Sequence, residues 1–157
     1  HGGVEELEKM EIELCEHLGI PLEAAKIKTY GEWQDEYKVK ELDHGHEAAI
    51  GRGMITEFPE WTSPFWNMSR NGDGTSRKID VILNGMETIG SAERSTDKEQ
   101  MRETFYTISD GGYAQILYDK FGKERVEKEL DEFLSFDFFP RSGGGIGVTR
   151  IMQAIPD

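Results

Sequence analysis

A single cysteine, Cys15, among 157 residues excludes an internal disulfide and points to a reducing, cytoplasmic setting. Long apolar runs are missing too, so no segment spans a bilayer as a helix and no membrane partner is expected. No basic start followed by an apolar stretch is present, so export is not indicated, although a removed leader would leave no trace. Positive charge is scarce. Lys and Arg number 18 against 31 Asp and Glu, a formal net charge of −13, which argues against a free-standing nucleic-acid binder because neutralising phosphates needs a basic surface. Neither an internal repeat nor a low-complexity tract occurs. What remains is a chain with 36% hydrophobic and 31% charged residues, a soluble globular composition long enough for one real core.

Val4, Leu7, Met10, Leu14 and Leu18 recur at steps of three and four, which predicts an amphipathic helix over Val4 to Leu18 closed by Gly19 and Pro21. Ile27 to Leu42 fits helix or extended structure equally. Met54 to Phe58 reads as a short strand stopped by Pro59. Ile79 to Leu83, the turn pair Asn84-Gly85 and the return Met86 to Ala92 predict an antiparallel hairpin. Thr96 followed by Glu99 has capping-box spacing and opens a helix carrying Met101, Phe105 and Ile108. Tyr113, Ile116, Leu117 and Phe121 suggest another helix, Val126, Leu130, Phe133 and Leu134 a third. Ile151 to Ile155 suggests a last one beginning near Gly147.

The hairpin converts spacing into chemistry. With Asn84 and Gly85 as turn residues, Leu83 faces Met86 and Ile82 faces Glu87, so Asp80 lies diagonally across from Glu87 on one sheet face. Such a pair can hold a Mg²⁺ that carries nucleotide phosphates, or can be two solvent-facing strand residues. Arg94 is seven residues beyond Glu87, and in a regular strand it would point to the other face; a bulge at Gly90-Ser91 would restore it. There it would form a surface ion pair, or present a fork of donors to a substrate carboxylate or amide oxygen.

Ser142-Gly-Gly-Gly-Ile-Gly-Val-Thr-Arg150 supplies the third element. Gly143, Gly145 and Gly147 alternate, which lets a flat ligand lie on the backbone, and Arg150 one turn into the next helix can reach a phosphate. No lysine follows Gly147, which excludes a phosphate loop of the Gly-Lys-Ser/Thr type, and Val148 replaces the third glycine of the dinucleotide fingerprint.

Gly-x-Gly-x-Gly-x-x-Arg at Gly143 to Arg150 resembles the third signature motif of class II aminoacyl-tRNA synthetases. Asp80-Val-Ile-Leu-Asn-Gly-Met-Glu87 followed by Ile-Gly-Ser-Ala-Glu-Arg94 resembles the strand pair of the aspartate, asparagine and lysine subgroup, and Ile55 to Phe65 is similar to the segment preceding it. The resemblance implies an α+β fold, an antiparallel β-sheet flanked by helices, that binds ATP and activates an amino acid as its adenylate for transfer to tRNA. By position, Asp80 and Glu87 would bind Mg²⁺, Arg150 would contact the γ-phosphate, and Gly143, Gly145 and Gly147 would back the adenine. Glu87 and Arg150 are thus the catalytic candidates. Arg94, with Ser91 beside it, would read the substrate side chain. An arginine there suits aspartate or asparagine, whereas the lysine enzymes place an acid at that position. Ser91 to Glu93 looks more like the asparagine branch.

The first and second signature motifs and an anticodon-binding domain have no counterpart in the sequence, and Thr149 replaces the acid that commonly precedes the final arginine. Residues 1–157 therefore read as the C-terminal part of a catalytic domain, inactive alone, with a homodimer implied only by the family. An asparagine synthetase resembling these enzymes, which amidates aspartate with ammonia, and a noncatalytic paralogue are the alternatives.

Other patterns are set lower. Asp43-His44-Gly45-His46-Glu47 reads as a solvated loop before a zinc site. Asn71 to Thr75 imitates the start of a calcium loop but lacks its glycine and bidentate glutamate. Trp61, Phe65 and Trp66 are expected in the core before stacking on a base, and Cys15 as a packed thiol before a nucleophile.

Overall fold

A computed structural model describes residues 2–156; His1 lies outside them. Helix α1 (Val4–His17) begins where Val4 N donates to the Glu93 carboxylate at 2.8 Å; Leu18 caps its end and Gly19, at positive φ, turns the chain away as the sequence predicts. The stretch left open in the sequence divides into a short strand β1 (Ile27–Thr29) and a helix α2 (Tyr30–Tyr37). Thr29 is the switch, because its hydroxyl accepts from Glu32 N at 3.2 Å and starts the helix. Helix α3 (His44–Ile50) replaces the expected solvated loop: Asp43 caps it by accepting from His46 N at 3.1 Å. Strands β2 (Gly53–Pro59), β3 (Thr75–Leu83) and β4 (Met86–Arg94) follow. The β3–β4 hairpin turns on Asn84 and Gly85, both at positive φ, the backbone that a two-residue turn of this hand demands. Helices α4 (Lys98–Thr107), α5 (Gly112–Phe121) and α6 (Lys123–Ser135) precede strand β5 (Arg141–Ile146) and helix α7 (Val148–Ala154). The α4 cap is Asp97, one residue later than the expected Thr96, because Asp97 accepts from Gln100 N at 3.0 Å.

The sheet order is β1-β2-β3-β4-β5, with antiparallel neighbours except for β1, which runs parallel to β2 at the edge. Alternation along the strands divides the side chains between two layers. On the back, Met54, Ile79, Val81, Leu83 and Ile89 pack with Leu7 and Cys15 of α1, Ile20 just beyond it and Ala154 of α7. At one end of the front, Ile55, Phe58 and Ile82 pack with Tyr30, Trp33 and Ile50. The Trp33 indole donates to the Met54 carbonyl at 3.0 Å, which ties α2 to the sheet. A separate cluster joins Trp66 to Met101, Phe105, Ala114, Val126, Leu130 and Leu134 in the helical segment. Cys15 is fully buried, as expected. Trp66 is buried, whereas Trp61 and Phe65 are exposed, the former resting only an edge against Tyr30. Among the described residues no helix is long and apolar enough to cross a membrane.

Candidate functional site

Register decides which groups meet on the front of the sheet over β4 and β5. Ile82 stands opposite Glu87 and Leu83 opposite Met86, while Asp80 stands opposite Gly90. One residue of β4, Thr88, is therefore extra at the Val81–Ile82 step, a bulge that differs from the position expected at Gly90-Ser91. The insertion has the consequence sought there. Glu87 shares the face of Asp80, and so do Gly90, Ala92 and Arg94.

The two carboxylates converge over Gly90. A Cβ built on Gly90 would stand 2.4 Å from Glu87 Oε1 and 3.6 Å from Asp80 Oδ1, so only glycine leaves room for both. Asp80 is buried, and its Oδ1 has no hydrogen-bond partner. Burial pushes its pKa up to about 6 against the pull of Lys78, with Glu87 and Glu47 adding repulsion. Its other oxygen, Oδ2, accepts from the Lys78 ammonium, which also lies 3.8 Å above the Phe58 ring centroid. An unpartnered buried oxygen facing a second carboxylate suits Mg²⁺, which takes one or two protein carboxylates and completes its shell elsewhere. Among the described residues no group of three His, Cys, Asp or Glu side chains is placed to hold a metal ion, the His44 to Glu47 stretch included.

Strand β5 continues the floor. Gly143 stands opposite Ala92 and Gly145 opposite Gly90, so four consecutive front positions carry nothing larger than a methyl group. A Cβ on Gly145 would meet nothing within 4 Å, whereas on Gly144, which faces the back, it would lie 2.6 Å from the Gly90 carbonyl. Gly147 caps α7, and its N–H donates to the Thr88 carbonyl at 2.8 Å, so the bulge also anchors this corner. Arg150 is exposed in the first turn of α7 and donates to the Glu87 carbonyl.

Arg94 closes the far end. Its Nη1 donates to Asn67 Oδ1 at 3.1 Å and its Nη2 to the Gly143 carbonyl at 3.0 Å. Among the described residues no carboxylate pairs with it. Burial and the neighbouring Arg141 both disfavour its charge, pushing the guanidinium below its usual range. Ser91 does not join it. Paired with Ile79 and Gly144, Ser91 points to the back, where it lines a cavity of about 370 Å³ with Leu7, Glu11 and Leu14 of α1. Asp80, Glu87, Arg94, Gly143 and Gly145 thus share one face, Gly147 and Arg150 stand at its corner, and Ser91 lies behind. Lys78 and Asn67 are additions to the sequence reading. Lys78 is two residues from Asp80, so strand period alone places them on one face; Asn67 reaches Arg94 through a loop and leaves no local signal.

A glycine-floored antiparallel face between two carboxylates and an arginine, flanked by helices, defines the class of α+β domain. The chain belongs to the family described as tRNA synthetases class II (D, K and N), which matches residues 8–157. A lysine--tRNA ligase from Porphyromonas gingivalis is 22% identical over 146 residues, covering 91% of this chain and 23% of the ligase. The aspartyl tRNA synthetase from Entamoeba histolytica superposes with a TM-score of 0.60 at 21% identity, over 82% of this chain and 28% of that one. The asparaginyl-tRNA synthetase from Pyrococcus horikoshii, complexed with asparaginyl-adenylate, does so at 0.60 and 18%, over 82% and 31%. The chain therefore spans about a quarter of the length of the curated relatives it matches.

Proposed function

We propose that the protein activates aspartate or asparagine with ATP as the aminoacyl-adenylate and passes it to tRNA, residues 1–157 forming the C-terminal part of the catalytic domain. Arg94 is the observation that carries this reading. A half-buried guanidinium beside a second cation, with no carboxylate partner, is under-compensated, and an acidic or amide side chain laid on the glycine floor supplies what it lacks. A lysine side chain would meet like charge there, which sets this reading against the lysine ligases among the relatives.

The other roles follow from position. Gly143 and Gly145 present bare backbone on which the adenylate lies, between Arg94 beside Gly143 and the carboxylates over Gly90. Arg150, exposed beside Glu87, turns from the Glu87 carbonyl to the terminal phosphate. Asp80 Oδ1 and Glu87 would hold Mg²⁺, which when bound supplies positive charge to the phosphate oxygens. Clamping groups of this kind act by orienting the reactants and matching developing charge, so no side chain is needed as a nucleophile. A homodimer in the cytoplasm completes the family expectation.

Pyrophosphate exchange by the full-length protein with aspartate, asparagine or lysine tests the reading. Exchange with either of the first two is expected; exchange with lysine alone overturns the substrate, and none with any of the three overturns the activity. Product formed with ammonia in place of tRNA would move the protein to aspartate amidation.

A further inference from the structure

The carboxylate that would hold the metal already has a cation on it. Lys78 is fixed by strand pairing opposite Ala92, its ammonium bonded to Asp80 Oδ2 and seated on the Phe58 ring. That ring is itself held. An irregularity in β2 at Glu57, which adopts φ 52, turns Phe58 to the front, and the Phe58 carbonyl accepts from Ser76 Oγ at 3.0 Å. The Lys78 side chain is 22% exposed and that of Asp80 6%, so their attraction is little screened by water.

We propose that Lys78 is a built-in cation of this site that competes with the divalent ion for Asp80. The inference deepens the functional reading above and rests on its assignment of Asp80 and Glu87 to the metal. Mg²⁺ approaches a carboxylate oxygen to about 2.0–2.1 Å, and an ion held at Oδ1 would share its carboxylate with the ammonium on Oδ2. The two positive charges repel each other across one small anion. The site therefore admits a divalent ion weakly by itself and needs the added negative charge of nucleotide phosphates to draw it in. An empty site, meanwhile, leaves Asp80 charge-balanced.

Mn²⁺ alone is the probe, added to nucleotide-free protein, with the free ion counted from its paramagnetic resonance signal. Lys78→Met keeps the stem over Phe58 and removes the charge; it is expected to tighten Mn²⁺ binding by about tenfold or more, the scale on which groups beside metal ligands act. Lys78→Arg, which keeps the charge, should bind as weakly as the unaltered protein, and Asp80→Asn in the Lys78→Met background should lose the gain. Equal Mn²⁺ affinity before and after removal of the charge overturns the proposal. If Lys78→Met does not fold, Lys78→Gln reads the same quantity. Because no amino acid, ATP or tRNA is present, failure here leaves the pyrophosphate-exchange result untouched, and the reverse also holds.

Discussion

Replacing Glu11 by glutamine is expected to stabilise the protein, and by an amount that grows with pH. Glu11 lies on the inner side of α1, 3% exposed, with Oε2 unpartnered against the back of β4. Burial drives its pKa from 4.5 to about 7, with Asp80 and Glu8 adding repulsion and Ser91 opposing. Below pH 4.5 the carboxyl is protonated in both the folded and unfolded chain, so nothing is lost. As pH rises from 4.5 towards 7 the unfolded chain ionises first and stability falls; above 7 the full cost is reached. At ~1.4 kcal/mol per pH unit, that cost is about 3 kcal/mol at pH 8 and about 1 kcal/mol at pH 5.5. Glutamine keeps the shape and carries no charge to bury. Urea unfolding of both proteins at the two pH values measures the gain. A Glu11→Gln difference that is the same at pH 5.5 and pH 8, or a destabilisation at both, would refute the argument.

Three further outcomes are expected. Gly144→Ala places a methyl group 2.6 Å from the Gly90 carbonyl and from Ser91 Cβ, and should cost about 1–3 kcal/mol in thermal unfolding; an unchanged melting temperature contradicts the close approach of β5 to β4. Arg94→Ala should abolish the dependence of pyrophosphate exchange on the amino acid while sparing ATP affinity, and equal loss of both removes Arg94 from the side-chain subsite. Cys15 is fully buried, with its thiol pKa pushed up by burial and by Glu11, so it should react with a thiol reagent only as fast as the protein unfolds. Prompt stoichiometric labelling of the native protein would show the back layer to be open.

The hairpin was legible because its signals are local: an Asn84-Gly85 turn with β-branched residues before it fixes register, and register fixes which groups face each other. The first helix, carried by five evenly spaced apolar residues, was legible for the same reason. The bulge was not. Nothing in Thr88 distinguishes it from a regular strand residue, whereas Gly90 looked like the natural place for an irregularity; its glycine is needed instead for the two carboxylates above it. Ser91 is three strand residues from Arg94, so alternation alone sets the two on opposite faces; the resemblance that placed them side by side carries no such parity. The exposure of Trp61 and Phe65 was hidden because it depends on neighbours distant in sequence. So was the guanidinium support from Asn67, a contact spanning 27 positions.

The inserted residue at Thr88 makes the identity of the working surface a matter of odd or even count. Remove that one residue and every side chain from Ile89 to Arg94 exchanges sides: Glu93, which now secures the start of the first helix, would be thrust onto the shelf, and Arg94 driven into the oily layer beneath. A deletion of three nucleotides would thereby trade an anchor for a recognition group. The spacing from Glu87 to Arg94 is accordingly a constraint of its own, beside the one that the two carboxylates place on Gly90.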